Sequence, residues 1–185
     1  MGVKNMMTIA SAAMAFAVLA VGAAFSAQDR YTLKVPNGLA FAEFKGYEGW
    51  QVISISHGGL LAVILGNPAM IEAYKAGIPG NGKPFPDGAK MAKIHWNPKT
   101  QVAYPGQPLV PNTLHDIDFM VKDSKRFADS GGWGYGEFEY DSATDTFRPG
   151  TLTDKPPQAN DAKCGAACHT VVKKQDYVFT EFPTR

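Results

Sequence analysis

The sequence predicts an α+β domain: an antiparallel β-sheet with a few short helices. Glycine (19) and proline (13) interrupt the 185-residue chain too often for long helices. Between these breaks lie short segments in which apolar and polar side chains alternate with a period of two, the period of a half-buried strand.

The elements follow in order. Residues 50–56 alternate as a strand, and 60–65 form an apolar run that pairs with it across Gly58-Gly59. Asn67-Pro68 reads as a helix start, with Asn67 as N-cap and Pro68 as first helical residue. That helix runs to about Ala76 and stops at Gly77, with Ile71 and Tyr74 inward. Residues 80–88 are a loop. Residues 90–96 form a strand with Ala92, Ile94 and Trp96 on one face and Met91, Lys93 and His95 on the other. A Pro-rich loop through Pro98, Pro105, Pro108 and Pro111 comes next. Residues 114–122 form a strand with Ile117, Phe119 and Val121 on one face. Residues 123–127 make a single helical turn, and 132–140 a Gly-aromatic strand. Residues 141–162 read as a polar linker, and 176–182 as a last strand or an extended tail.

The first 26 residues read as a secretory signal peptide. Lys4 is followed by an uncharged Ala-rich run over 9–25 and a small-residue cleavage site before Ala27. An uncleaved anchor is the competing reading. Residues 27–185 then form a single domain in the bacterial periplasm. Lys4 is the only charge removed, which leaves 17 basic and 17 acidic side chains. That balance excludes the basic excess expected for nucleic-acid binding or an anionic membrane surface.

The chemistry is concentrated in Cys164-Gly-Ala-Ala-Cys168-His169. Two thiols followed by a histidine are what covalent haem attachment needs: each thiol adds to a vinyl group, and the imidazole reaches the iron. The usual spacing has one residue fewer between the cysteines. Gly165, Ala166 and Ala167 are small enough for the turn to bulge and absorb the extra residue. A Cys164–Cys168 disulfide, a zinc site completed by His57, His95 or His115, and two free thiols are the competing readings. Export suits haem attachment and a disulfide equally. Only 16 residues follow His169 and none is Met, so a distant downstream Met ligand is ruled out. The Pro and Gly positions rule out a helical-bundle cytochrome.

Four segments then carry a resemblance to a family: Phe85-Pro-Asp-Gly-Ala-Lys-Met-Ala-Lys93, Val121-Lys-Asp-Ser-Lys-Arg-Phe127, Gly131-Gly-Trp-Gly-Tyr135, and the cysteine motif with Asp176-Tyr-Val-Phe-Thr180. In this order they resemble the β-rich mono-haem c-type cytochromes grouped as cytochrome P-460 and cytochrome c′-beta. The resemblance implies one covalently attached haem c, bound by Cys164 and Cys168, with His169 as the iron's proximal ligand and an open distal side. It implies hydroxylamine oxidation, with Lys93 cross-linked to the haem ring, or nitric oxide binding in an apolar distal pocket. It also implies a periplasmic redox partner and, from the related proteins, a homodimer.

The residues themselves leave the roles open. Lys93 is either a solvated lysine opposite a core face or one of the side chains lining the haem side of the sheet. In the second case burial favours the neutral amine needed for cross-linking. Glu137 and Glu139 share a face with Trp133 and Tyr135, and Glu137 is the candidate base for an N–H or O–H substrate; the competing reading is a solvated strand face. His95 is a distal ligand or a structural histidine. Lys122, Lys125 and Arg126 read as a solvated turn, or as contacts to a haem propionate. Plain electron carriage through a six-coordinate iron, and a colourless disulfide-containing binding domain, are the alternative functions.

Overall fold

The computed structural model describes residues 27–36, 38–153 and 165–184. The signal segment and Cys164 lie outside them. Strands β1 (Gln51–His57), β2 (Leu61–Gly66), β3 (Lys90–Thr100), β4 (Leu109–Lys122), β5 (Trp133–Asp141) and β6 (Thr146–Pro149) form one six-stranded sheet. They lie side by side in chain order, and every neighbouring pair is antiparallel. Helix α1 (Pro68–Lys75) connects β2 to β3, and α2 (Ala166–His169) carries the end of the cysteine motif. The expected α+β class is what the chain adopts.

Helix α1 starts as its sequence dictates. The Asn67 side chain accepts the Met70 backbone N–H at 3.0 Å, and Pro68 opens the first turn where no donor is required. Met70, Ile71, Ala73 and Tyr74 are buried against the sheet.

Two expectations need correction. The Pro-rich stretch after Trp96 is largely strand: β3 continues to Thr100, β4 begins at Leu109, and Pro98 stands opposite Pro111. Both prolines fall beside a register shift between Asn97 and Pro98, where the ladder is already broken and a missing donor costs little. The segment expected to be a polar linker contains β6, paired with β5. The Asp141 side chain accepts the Ala143 N–H at 2.8 Å and so closes the turn between these strands. Residues 176–182 contain no strand, in line with the extended-tail reading.

The strand period assigns each side chain to one of two faces. On the first, Ala92, Ile117, Phe119, Val121 and Phe138 are buried beneath residues 27–49. This segment forms three short 3-10 turns, Arg30–Thr32, Phe41–Phe44 and Tyr47–Gly49. Phe44 stacks on Phe119 with ring centroids 4.1 Å apart, and Phe41 meets Phe119 edge-on at 5.2 Å. The second face is covered at one end by α1, Phe85 and the C-terminal residues. The rest of that face is hollow.

Candidate functional site

The C-terminal segment is built around one imidazole. Helix α2 is a single turn with Gly165 as its N-cap. The chain then reverses through Asp176 and Tyr177, whose φ angles are +49° and +64°. This left-handed conformation is uncommon for any residue with a side chain, above all a bulky one. The reversal brings the Tyr177 carbonyl within 2.6 Å of His169 Nδ1. A carbonyl can only accept, so Nδ1 carries the proton and Nε2 keeps a free lone pair. Burial lowers the His169 pKa and Lys93's charge lowers it further, against the opposing effect of the Tyr177 hydrogen bond. The imidazole is thus held neutral, oriented and ready to bind a metal.

The reversal is itself tied down. Lys122 is buried, and its ammonium donates to both oxygens of Asp176 (2.8 and 3.0 Å) and to the Gly131 carbonyl (3.0 Å). Asp176 also accepts the Phe85 N–H at 2.7 Å, and its own carbonyl accepts Trp133 Nε1–H at 2.8 Å. At Gly131 (φ +71°) a Cβ would lie 2.2 Å from the Tyr177 ring. Only glycine lets that ring settle there. The expectation of a solvated turn therefore fails at Lys122, which is a buried anchor. Arg126 is exposed, and its guanidinium donates to both carboxylate oxygens of Glu43 and to the Gly38 carbonyl.

His169 opens into a cavity of about 520 Å³ on the hollow face of the sheet. Its apolar wall includes Ile64, Met91, Phe119, Met120, Val178 and Phe179, and Cys168 stands on its lining. Two rows of register partners cross its floor. Met91, Met120 and Tyr135 form one, and Tyr135 lies beside His169 with ring centroids 5.0 Å apart. Lys93, Asp118 and Glu137 form the next. All six of these side chains line the cavity. Four of the five expected site residues, Lys93, Glu137, Cys168 and His169, are therefore brought together; the fifth, Cys164, lies outside the described residues.

The remaining expected residues sort themselves by partner. Glu139 does not line the cavity and pairs with Arg148 at the strand edge. Glu137 does line it, and the Gly150 backbone presses so close that a Cβ there would come within 2.8 Å of Glu137 Cγ. His95 turns Nδ1 to Asp116, and His115 contacts the other Asp116 oxygen at 2.6 Å. His57 is exposed at the end of β1. Asp118 was not singled out from the sequence, although its place follows from the alternation. If Ile117, Phe119 and Val121 face the core, Asp116, Asp118 and Met120 share the face of Met91, Lys93 and His95. Burial and the neighbouring Asp116 charge push the Asp118 pKa up to about 7, against the pull of His95 and Lys93. Burial alone would raise Asp116 as well, but its two histidine partners hold it below the usual carboxylate value.

The sequence model of the family described as cytochrome P460 matches residues 44–180. The chain belongs to the cytochrome P460 family. No curated protein matches it. The family's haem fits the residues present. The cavity has the size and apolar lining of a cofactor site. An oriented imidazole with a free Nε2 and a cysteine one residue before it both open onto the cavity. His169 is the residue that would hold the iron, and Cys168 the one that would hold the porphyrin edge. Lys93 and Glu137 stand on the cavity floor.

Proposed function

We propose that this cytochrome P460 family member is an exported mono-haem c protein that oxidises hydroxylamine in the periplasm and passes the electrons to a soluble redox partner. The observation that carries this reading is the Lys93–Asp118–Glu137 row on the cavity floor. Nitric oxide binding calls only for an apolar pocket. Oxidation of hydroxylamine removes protons as well as electrons, and so calls for a base beside the substrate. A haem c bound here supplies the open coordination position and the change of oxidation state. The chain supplies the rest. His169 is a neutral, carbonyl-anchored imidazole. Glu137 receives the substrate's proton. Lys93 is the amine for a cross-link to the porphyrin ring, and Cys164 and Cys168 are the thioether donors. The thioether-bearing Met91 and Met120 lie in the row that contains Tyr135, beside His169. Plain electron carriage would instead need one of these methionines, or His95, as a second iron ligand.

The test uses holoprotein from a host with haem-attachment machinery. Haem is expected to stay with the denatured chain, and carbon monoxide to shift the optical spectrum of the reduced protein. Hydroxylamine should be oxidised with a soluble electron acceptor, and Glu137→Gln should lower kcat by 10²-fold or more with the spectrum retained. Tryptic digestion should find haem on the peptide containing Lys93 as well as on the cysteine peptide, and on the latter alone in Lys93→Ala. Nitric oxide binding without hydroxylamine turnover would overturn the enzymatic reading.

A further inference from the structure

At the Lys93–Asp118 end of the cavity floor, three side chains from two strands converge. His95 on β3 stands directly across from Asp116 on β4, and Asp118 is two residues further along the same face. His95 Nδ1 contacts Asp116 Oδ1 and lies 3.8 Å from Asp118 Oδ2. One ligand atom from each of the three lies within 4.8 Å of the others. The side chains are only 11, 8 and 17 % exposed, respectively.

The three groups are unevenly paired. Two carboxylates are aimed at one nitrogen, and an imidazole nitrogen carries at most one proton to share between them. Asp116 is well served, because His115 Nδ1 contacts its second oxygen at 2.6 Å. Asp118 is not. Its one ionic contact among the described residues is that imidazole, at a distance too long for a hydrogen bond. Its register neighbours are Lys93 on one side, whose charge favours the carboxylate, and Glu137 on the other, whose charge opposes it. The Asp118 carboxylate is partly exposed and opens onto the cavity, where a bound cation would be its counter-charge.

We propose that His95, Asp116 and Asp118 form a second metal site, distinct from the haem, for a first-row divalent cation of the zinc or manganese class. The donor set fits that class. One imidazole and two carboxylates suit borderline divalent cations, whereas calcium asks for six to eight oxygens and copper(I) for sulfur. Ligands about 2.0–2.2 Å from a shared ion stand roughly 3–4 Å apart, which is the His95–Asp118 spacing; His95 and Asp116 stand closer, as a hydrogen-bonded pair that the ion would have to part. His115 acts as the outer partner that fixes a ligating carboxylate. Asp118 also lines the cavity, so the coordination positions left by the protein open towards whatever binds there.

The experiment is a metal count on holoprotein. The protein is stripped with chelator, loaded with zinc or manganese and desalted, and the metal is counted by elemental analysis against haem iron. Calorimetric titration of zinc gives the affinity. One equivalent of non-haem metal per chain is expected, with affinity falling at least tenfold in both Asp118→Asn and His95→Gln. His57→Gln, at the exposed end of β1, should bind as the parent does. Zinc should also move the ring ¹⁵N resonance of His95 in the unsubstituted protein, a readout that survives if either variant folds poorly. Absence of stoichiometric metal, or uptake untouched by both substitutions, would overturn the site. Because the count does not depend on turnover, it stands or falls separately from the hydroxylamine reading.

Discussion

Asp176 has three roles within one residue. Its carboxylate neutralises the buried Lys122, its backbone carbonyl receives Trp133, and its left-handed φ begins the reversal that delivers the Tyr177 carbonyl to His169. Asp176→Asn keeps the shape and removes the charge. The Lys122 ammonium is then left buried without a counter-ion, at a cost of about 3–5 kcal/mol. A fall in the urea midpoint of that size should be accompanied by loss of the fixed His169 orientation, read as a changed iron spectrum. An unchanged midpoint would mean that Lys122 is hydrated and the anchor is unimportant. No local signal in the sequence distinguishes this lysine from Lys125. Its burial depends on Gly131 and Asp176 arriving from 9 and 54 residues away. His169 could be singled out because the motif is contiguous, and Lys93 and Glu137 could be placed on one sheet face because strand alternation is local. Asp118 needed the pairing of two strands to stand out.

The N-terminal element shows the opposite limit of legibility. Residues 27–49 have neither a two-residue nor a 3.6-residue period, and the short 3-10 turns they form leave little trace in sequence. The cover they make is nonetheless locked at both ends of its second turn. Glu43 accepts the Ala40 N–H at 2.8 Å and both Arg126 nitrogens at 2.8 and 3.0 Å. Burial alone would raise the Glu43 pKa. The Arg126 and Ala40 hydrogen bonds, with the charges of Arg126 and Lys90, more than reverse that and hold it below the usual glutamate value. A depressed carboxylate binds fewer protons in the folded state than in the unfolded one. Its contribution is therefore complete above the unfolded pKa near 4.5 and is lost as pH falls through the lower folded value. Arg126→Ala should cost about 1 kcal/mol at pH 7, because the pair is partly exposed. The difference from the parent should shrink as pH drops below 4, as thermal melts across pH 3–7 would show; a gap independent of pH would place the effect in packing and not in charge.

At the scale of the whole molecule, the antiparallel meander separates stability from chemistry. One face of the sheet carries the aromatic core beneath residues 27–49, and the other carries the cavity, the imidazole and the acidic row. Each strand contributes alternately to both, so the same period that buries Phe119 sets Asp118 and Met120 facing the site. Phe119 also lines the cavity, so among the described residues a single sheet separates the core from the chemistry. Such a division predicts that the two properties can be damaged independently. Phe44 is fully buried, stacks on Phe119 from the far side, and does not itself line the cavity. Phe44→Ala should lower stability by about 3–5 kcal/mol through the lost transfer energy and the void it leaves. Below the new melting temperature the iron spectrum and the KM for hydroxylamine should remain those of the parent. If the variant instead loses the spectrum while still folded, the sheet transmits the void across its thickness, and the aromatic face is part of the site's support.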